Sequence, residues 1–371
     1  AVAITQGGPG AVFWMWASAT VGMATRFFTC TLACMYRLKD ENGVDQGGPM
    51  YFIEAGLGRR FRILAILFSV CGLVGCLSLF QANQLAEVLE GSYGLSRGWT
   101  GIICMLTVGA VVIGGIQRIG RVTSRVVPLM CGLYIMACLY VLATHLSEIP
   151  KLFLRIFHDA FSGTAAMGGT AGITFSTVVS TGVKRASFSN EAGIGTAALA
   201  HGAARTGQPI REGLVAMNGP FIDTIVVCTM TALVVLAEGN WQAGNVQGVD
   251  LTVQAFRSAM GDLGQLLIVL SVTLFAVSTM VGYSYYARKC FSYLVGWRRG
   301  VFYNYFYCAM ILVGALWSTE SVVNLLDTSF ALMAVPTISA TLMLSPRVMK
   351  AARDYFRNVK TSTADFAKIN S

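Results

Sequence analysis

The chain has 371 residues, 55% of them hydrophobic and only 12% charged, about half the charged fraction of a soluble globule, and its mean hydropathy is +0.62. That balance excludes a water-soluble enzyme or binding module and demands a chain that crosses a bilayer many times. The formal net charge of +9 does not signal nucleic acid, because the basic residues gather in alternate connections rather than in one patch.

Runs of about 20 mainly apolar residues span a bilayer as helices. Lipid offers backbone polar groups no partner, and runs this continuous exclude the ten-residue alternating strands of a barrel, so the chain reads as an all-α membrane protein. The first run, residues 11–36, is entered through Gly7, Gly8 and Pro9 and carries Arg26. A polar connection, RLKDENGVDQGGPMYFIEAGLGRRFR, follows, and its Gly47, Gly48 and Pro49 suit a sharp re-entry into the next helix. Uninterrupted runs then occupy 63–89, 99–116 and 126–145; a broken run covers 167–203; and continuous runs return at 214–237, 263–287, 301–317 and 322–344. The tail after Pro346 reads as solvated and basic. Ten cysteines lie scattered, with no CxxC or Cys/His cluster, and read as reduced packing residues.

Twenty of the 27 Lys and Arg residues fall in one set of alternating connections and four, Arg97, Lys151, Arg155 and Arg257, in the other. The first set, which includes Arg288, Lys289 and the C-terminal tail, is expected on the cytoplasmic side. That places Ala1 outside, without a signal peptide or initiating Met, so the chain reads as an N-terminally truncated piece that lacks a first inward-to-outward helix.

Within the broken run, FSNEAGIG sets Ser189, Asn190, Glu191, Gly193 and Gly195 together. Each glycine disfavours helix by about 1 kcal/mol, and Ser and Asn compete for backbone hydrogen bonds. A helix that opens at mid-membrane offers free N–H groups to a carboxylate and free C=O groups to a cation. The alternative is a glycine-mediated helix crossing in which Asn190 and Glu191 bond a neighbour. Elsewhere, Ser278 and Thr279 offer adjacent hydroxyls suited to a hard cation, or return their bonds one turn back. Gln81 and Gln84 share a face beside Phe80 and either line a cavity or pair with another helix. Arg26 and Asp223 are expected to find internal partners, His201 to be satisfied at an interface, and Lys184 or Arg185 to pair with an acid across an outer vestibule or to snorkel. No hydrolase or phosphate-binding motif is present, and a hydrolase built on Glu191 and His201 would need groups roughly 15 Å apart along a helix.

GGPGAVFWMW, GMATRFF, DENGVDQGGPMYFIEAGLG, SNEAGIGTAALAHGAA and GPFIDTIVVCTMTALVV resemble the sodium:alanine symporter family throughout the chain. The resemblance implies a leucine-transporter-like inverted-repeat bundle in one transport domain, residues 1–371. Residues 11–145 would be the remainder of a first repeat lacking its first core helix, 167–344 the second repeat and 345–371 a cytoplasmic tail. It implies a multi-pass symporter of a prokaryotic inner membrane, importing alanine or glycine with sodium. Membrane lipid is a partner, nucleic acid is not, and there is no cofactor besides the coupling ion. Carried over, Phe188, Asn190, Gly193, Phe80, Gln81, Gln84, Thr279 and Tyr283 would border the substrate, and Ser278 and Thr279 would supply oxygens to sodium. Tyr283 stands where the family commonly has Trp, and Thr29 where many members place an acid near the position of Arg26. A proton-coupled or exchanging carrier of another small solute is the second reading, and a membrane enzyme the last.

Overall fold

The computed structural model describes residues 1–41, 43–114, 116–161, 175–239, 241, 248–296 and 299–369. Helices dominate, as lipid requires of a backbone that has no water to bond. After a short helix α1 (Val2–Gly7), Gly8 and Pro9 turn the chain into α2 (Gly10–Met35). The polar connection holds a small departure from the all-α expectation: Leu38–Lys39 and Asp45–Gln46 pair as an antiparallel ribbon outside the apolar runs. Gly48, at φ 148°, then delivers Pro49 to the first turn of α3 (Pro49–Leu57), where its missing N–H is no loss.

The expected uninterrupted run 63–89 is two helices, α4 (Arg62–Gly75) and α5 (Leu79–Tyr93), and this corrects the sequence reading. The reason is tertiary. Tyr303 donates to the Leu73 carbonyl at 3.0 Å, and Ser78 bonds Tyr307, whose hydroxyl donates to the Met280 carbonyl at 2.5 Å. The Tyr303 hydroxyl thus replaces one bond that a continuous helix would make for itself, and Tyr307 ties Ser78 at the break to the Met280 carbonyl.

Next come α6 (Arg97–Val112), α7 (Ile116–Thr144) and α8 (Ile149–Phe161). At 13 residues, α8 is too short to cross; it lies against α2, with Phe157 5.6 Å from Phe13 and Phe153 5.9 Å from Trp16, ring to ring. The broken run is the pair α9 (Phe175–Asn190) and α10 (Thr196–His201); its start, 167–174, lies outside the described residues. Then α11 (Pro209–Pro220) widens into a π segment at Phe221–Cys228 before α12 (Thr229–Glu238), consistent with the lost N–H of Pro220.

A long α13 (Gly248–Val295) bends at Gly261, and α14 (Gly300–Leu316) and α15 (Thr319–Ile369) complete the chain. Pro346 does not end α15: the carbonyl that its absent N–H would have bonded, Leu342, takes the Ser345 hydroxyl at 2.8 Å instead. The tail therefore begins as helix.

Among the described residues, five helical stretches are long and apolar enough to cross a membrane, and Arg97–Val112 and Phe302–Leu316 are shorter apolar helices. The less apolar α2 and the α9/α10 pair account for the two remaining runs. Two packing groups result: α2 runs along α11 and α9, while α13 packs on α7, α5 and α4, and α14 on α6 and α5. The breaks between α4 and α5 and between α9 and α10 face one another, with Phe80 and Phe188 in edge contact at 5.0 Å. All ten cysteines are free and eight are buried, in keeping with packing roles.

Candidate functional site at the paired helix breaks

Ser189 and Asn190 end α9 with side chains that prefer partners outside the helix, and the next residues leave helical geometry. Glu191 has φ 55°, Gly193 84° and Gly195 99°. Glu191 is the sole non-glycine at positive φ among the described residues, a conformation that costs of order 1–3 kcal/mol and persists where surroundings over-determine it. Here they do. Its N–H bonds the Ser187 carbonyl at 3.0 Å, and its carboxylate accepts from Thr196 at 2.8 Å and faces the Tyr283 hydroxyl.

Asn190 is buried and braces the break. Its Nδ2 donates to Thr224 at 3.1 Å, its Oδ1 accepts the Ala192 N–H at 3.0 Å, and its carbonyl accepts from Arg26 at 3.0 Å. Asp223 accepts from Ser189 at 2.5 Å and Thr224 at 3.1 Å. Arg26 and Asp223 thus have the internal partners expected of ionisable groups in lipid. The Ile194 carbonyl takes the Thr337 hydroxyl at 3.1 Å. The N–H groups of Gly193, Ile194 and Gly195 have no protein acceptor among the described residues.

Beside the break lies a cavity of about 300 Å³ that brings together Phe80, Gln81 and Gln84 of α5, Phe188 of α9 and Thr279 of α13. Its wall is otherwise mainly apolar and aromatic, the usual character of a small-molecule site. Gln81 Oε1 is buried there without a partner, whereas Gln84 donates to Glu87 at 3.0 Å and, at 3.4 Å, to Asn83. Phe188 separates this cavity from a second space of about 230 Å³ lined by Gly193, Lys184 and Asp327.

The other sequence-predicted residues are not at the cavity wall. Asn190 faces Thr224, Tyr283 is 7% exposed beside Tyr286, and Ser278 donates to the Phe275 carbonyl at 3.0 Å and to Met130 sulfur at 3.4 Å. Ser278 and Thr279 thus point different ways, as adjacent helical residues do. Sequence reasoning missed Tyr134, Thr252 and Phe275, which also line the cavity; Tyr134 and Phe275 look like packing aromatics of apolar runs, and Thr252 lies outside those runs, so only the tertiary packing brings them to this wall.

Above the cavity Arg185 pairs with Asp327 at 2.5 Å and lies 5.7 Å from the Phe188 ring, so the acid expected across the vestibule comes from α15. At the opposite end the packing is tight. A Cβ on Gly202 would come within 2.6 Å of Gly47 Cα, and Arg37 donates to the Ala204 and Thr206 carbonyls at 2.9 and 2.7 Å. His201 bonds Glu212 at 2.7 Å, the satisfied interface histidine expected. Lys289, counted by sequence among the basic residues of a cytoplasmic connection, is only 2% exposed. It is held by the Gly47 and Leu199 carbonyls at 3.2 and 2.8 Å and by the Tyr285 ring at 4.9 Å, partners that no local pattern reveals.

A polar-tipped cavity between two interrupted membrane helices is the geometry of a solute carrier. Residues 1–368 match the sodium:alanine symporter family. The chain belongs to that family. Among relatives of this sodium:alanine symporter family member, an uncharacterized transporter of Haemophilus influenzae is 37% identical over 98% of this chain and 81% of its own length. The sodium/alanine symporter AgcS of Methanococcus maripaludis is 38% identical over 96% of this chain and 79% of its own. The probable sodium/glutamine symporter GlnT of Bacillus subtilis is 32% identical, over 97% and 75% respectively. The family member described here is accordingly an amino-acid transporter of the symporter class and not an enzyme.

Proposed function

We propose that the chain is a sodium-coupled symporter that imports alanine or glycine by alternating access. The observation that carries this reading is the meeting of Phe80, Gln81, Gln84, Phe188 and Thr279 around one cavity beside an opened helix, with Gln81 Oε1 left unpartnered. That oxygen accepts the substrate ammonium, the unpaired amides of Gly193 to Gly195 receive its carboxylate once Phe188 moves, and Phe80 and Phe188 limit the side chain to a small one. Tyr283 reaches the substrate through the same rearrangement. Sodium is held by Thr279 and, after release from the Phe275 carbonyl, by Ser278. The fold is leucine-transporter-like, a reading supported by the packing of α2 against α11. The protein lies in a prokaryotic inner membrane with its C-terminus cytoplasmic, where the basic connections meet anionic lipid.

Uptake of labelled alanine by full-length protein in proteoliposomes tests the proposal: a sodium gradient accelerates uptake relative to choline, and unlabelled glycine competes. Equal rates in sodium and choline remove sodium from the mechanism; competition by glutamine in place of glycine moves the substrate assignment. The engagement of Ser278 with Phe275 favours the second reading, a proton-coupled or exchanging carrier, which uptake driven by a pH gradient in choline identifies.

A further inference from the structure

A separate cavity, of about 180 Å³, lies at the end of α13 that carries Lys289, between the ribbon, α13 and α14. That is roughly six times a water molecule's share of the liquid, room for a solute of alanine's size. It is not a continuation of the first cavity: Thr279 and Arg288, nine residues apart on one helix, project from opposite faces.

Its polar groups fall into two chemical halves. Gln46 Nε2 donates to the Asp40 carboxylate at 3.0 Å, which fixes the orientation of that amide and leaves Oε1 as an acceptor. Gln46 is 6% exposed and Asn304 4%, and Gln46 Oε1 and Asn304 Oδ1 have no partner. A buried acceptor without a donor costs about 1–3 kcal/mol. The other half is cationic. Lys289 spends two of its three N–H groups on Gly47 and Leu199, the Tyr285 hydroxyl is buried and unpartnered, and Arg288 has no ion-pair or hydrogen-bond partner among the described residues. Acceptors backed by a carboxylate, together with two cations and a phenol in the lining of one cavity, match an ammonium and a carboxylate borne on one small molecule.

We propose that this cavity is a second binding site for a small zwitterionic amino acid, its ammonium on Gln46 and Asn304 and its carboxylate on Arg288, Lys289 and Tyr285. Lys289 joins the turn before α3 to α10, so the site exists complete only while that end of the molecule is closed. A ligand that binds one of two conformations shifts the population toward it. Amino acid accumulated on this side therefore holds the closed state and slows its own import. The effect on transport rests on the symport reading; the binding does not.

Val44 is 41% exposed and lines the mouth, so a Val44→Cys variant of the full-length protein reports occupancy through its rate of maleimide labelling. Alanine at ten times its half-saturating concentration slows labelling about tenfold; propionate and ethylammonium, each with half the charge pattern, do not. Protection disappears in Gln46→Met and in Asn304→Leu and persists in Gln81→Met, which alters the first cavity only. Absence of protection, protection by propionate as strong as by alanine, or protection lost in Gln81→Met but kept in Gln46→Met and Asn304→Leu would each overturn the proposal. Size-exclusion profiles identify any variant that misfolds, in which case Tyr285→Phe, which removes one hydroxyl, takes its place with a smaller loss of protection. If sodium-driven uptake is absent while protection is present, the symport reading fails and this site stands.

Discussion

Gln81 has the simplest chemistry of the residues around the first cavity. Its unpartnered oxygen meets an ammonium in the proposed complex, and hydrogen bonds to charged groups contribute about 1.5–3 kcal/mol. Gln81→Leu is therefore expected to weaken alanine binding by about tenfold or more in a scintillation-proximity titration; an unchanged titration would assign the ammonium to another group. Asn190 acts differently, because its amide is committed to Thr224 and Ala192. Asn190→Ala should weaken binding through misplacement of residues 191–195 while the far-ultraviolet helix signal stays the same. An affinity equal to wild type would reduce Asn190 to a packing residue.

The break between α9 and α10 is shaped as much by what surrounds it as by its glycines. Gly195, at φ 99°, has room for no side chain: a Cβ would sit 2.6 Å from Pro49 and 2.8 Å from the Thr337 hydroxyl. Gly193, at φ 84°, meets only Ile338 at 3.4 Å. Gly195→Ala thus combines backbone strain with overpacking, each about 1–3 kcal/mol, and Gly193→Ala incurs the first alone. Thermal unfolding in detergent should rank wild type above Gly193→Ala above Gly195→Ala, and the reverse order of the two variants would show that the packing here relaxes. Between α2 and α11 the small residue serves a charge instead. A Cβ on Gly219 would lie 2.4 Å from the Arg26 guanidinium, so the glycine makes the space through which Arg26 reaches the Asn190 carbonyl.

Taken as a carrier, the molecule is tightly packed at the Lys289 end and carries the Arg185–Asp327 ion pair near Phe188 as its proposed gate. The contact between Gly47 and Gly202 is backbone on backbone, and close approach of that kind tolerates no methyl group. Gly202→Ala should disfavour closure and expose Cys34, which is buried and donates to the His201 carbonyl at 3.3 Å. Faster maleimide labelling of Cys34 checks this, and an unaltered rate would mean that the seal lies elsewhere. Arg185 and Asp327 are partly buried, at 10% and 29% side-chain exposure, so their pairing exceeds the weak surface case. A double-mutant cycle on substrate association should return a coupling of about 1–3 kcal/mol, and additive effects of the two substitutions would make the pair incidental to gating.

The membrane helices and the α9/α10 break were readable from local chemistry alone. Twenty apolar residues in lipid have few choices besides helix, and Ser189, Asn190, Gly193 and Gly195 each weaken a helix by their own nature. Gln81, Gln84 and Phe80 were readable as one face of a helix, which is a matter of spacing. The break between α4 and α5 was not, since the hydroxyls that sustain it belong to Tyr303 and Tyr307, more than two hundred residues away. Nor was the burial of Lys289, whose charge is visible in the sequence but whose carbonyl partners, Gly47 and Leu199, are assembled only by packing. Backbone and side-chain preferences act over a few residues and are written in the sequence; which remote group completes a hydrogen bond or fills a cavity depends on the three-dimensional arrangement, and that arrangement set the cavity near Lys289 and the tight packing beside it.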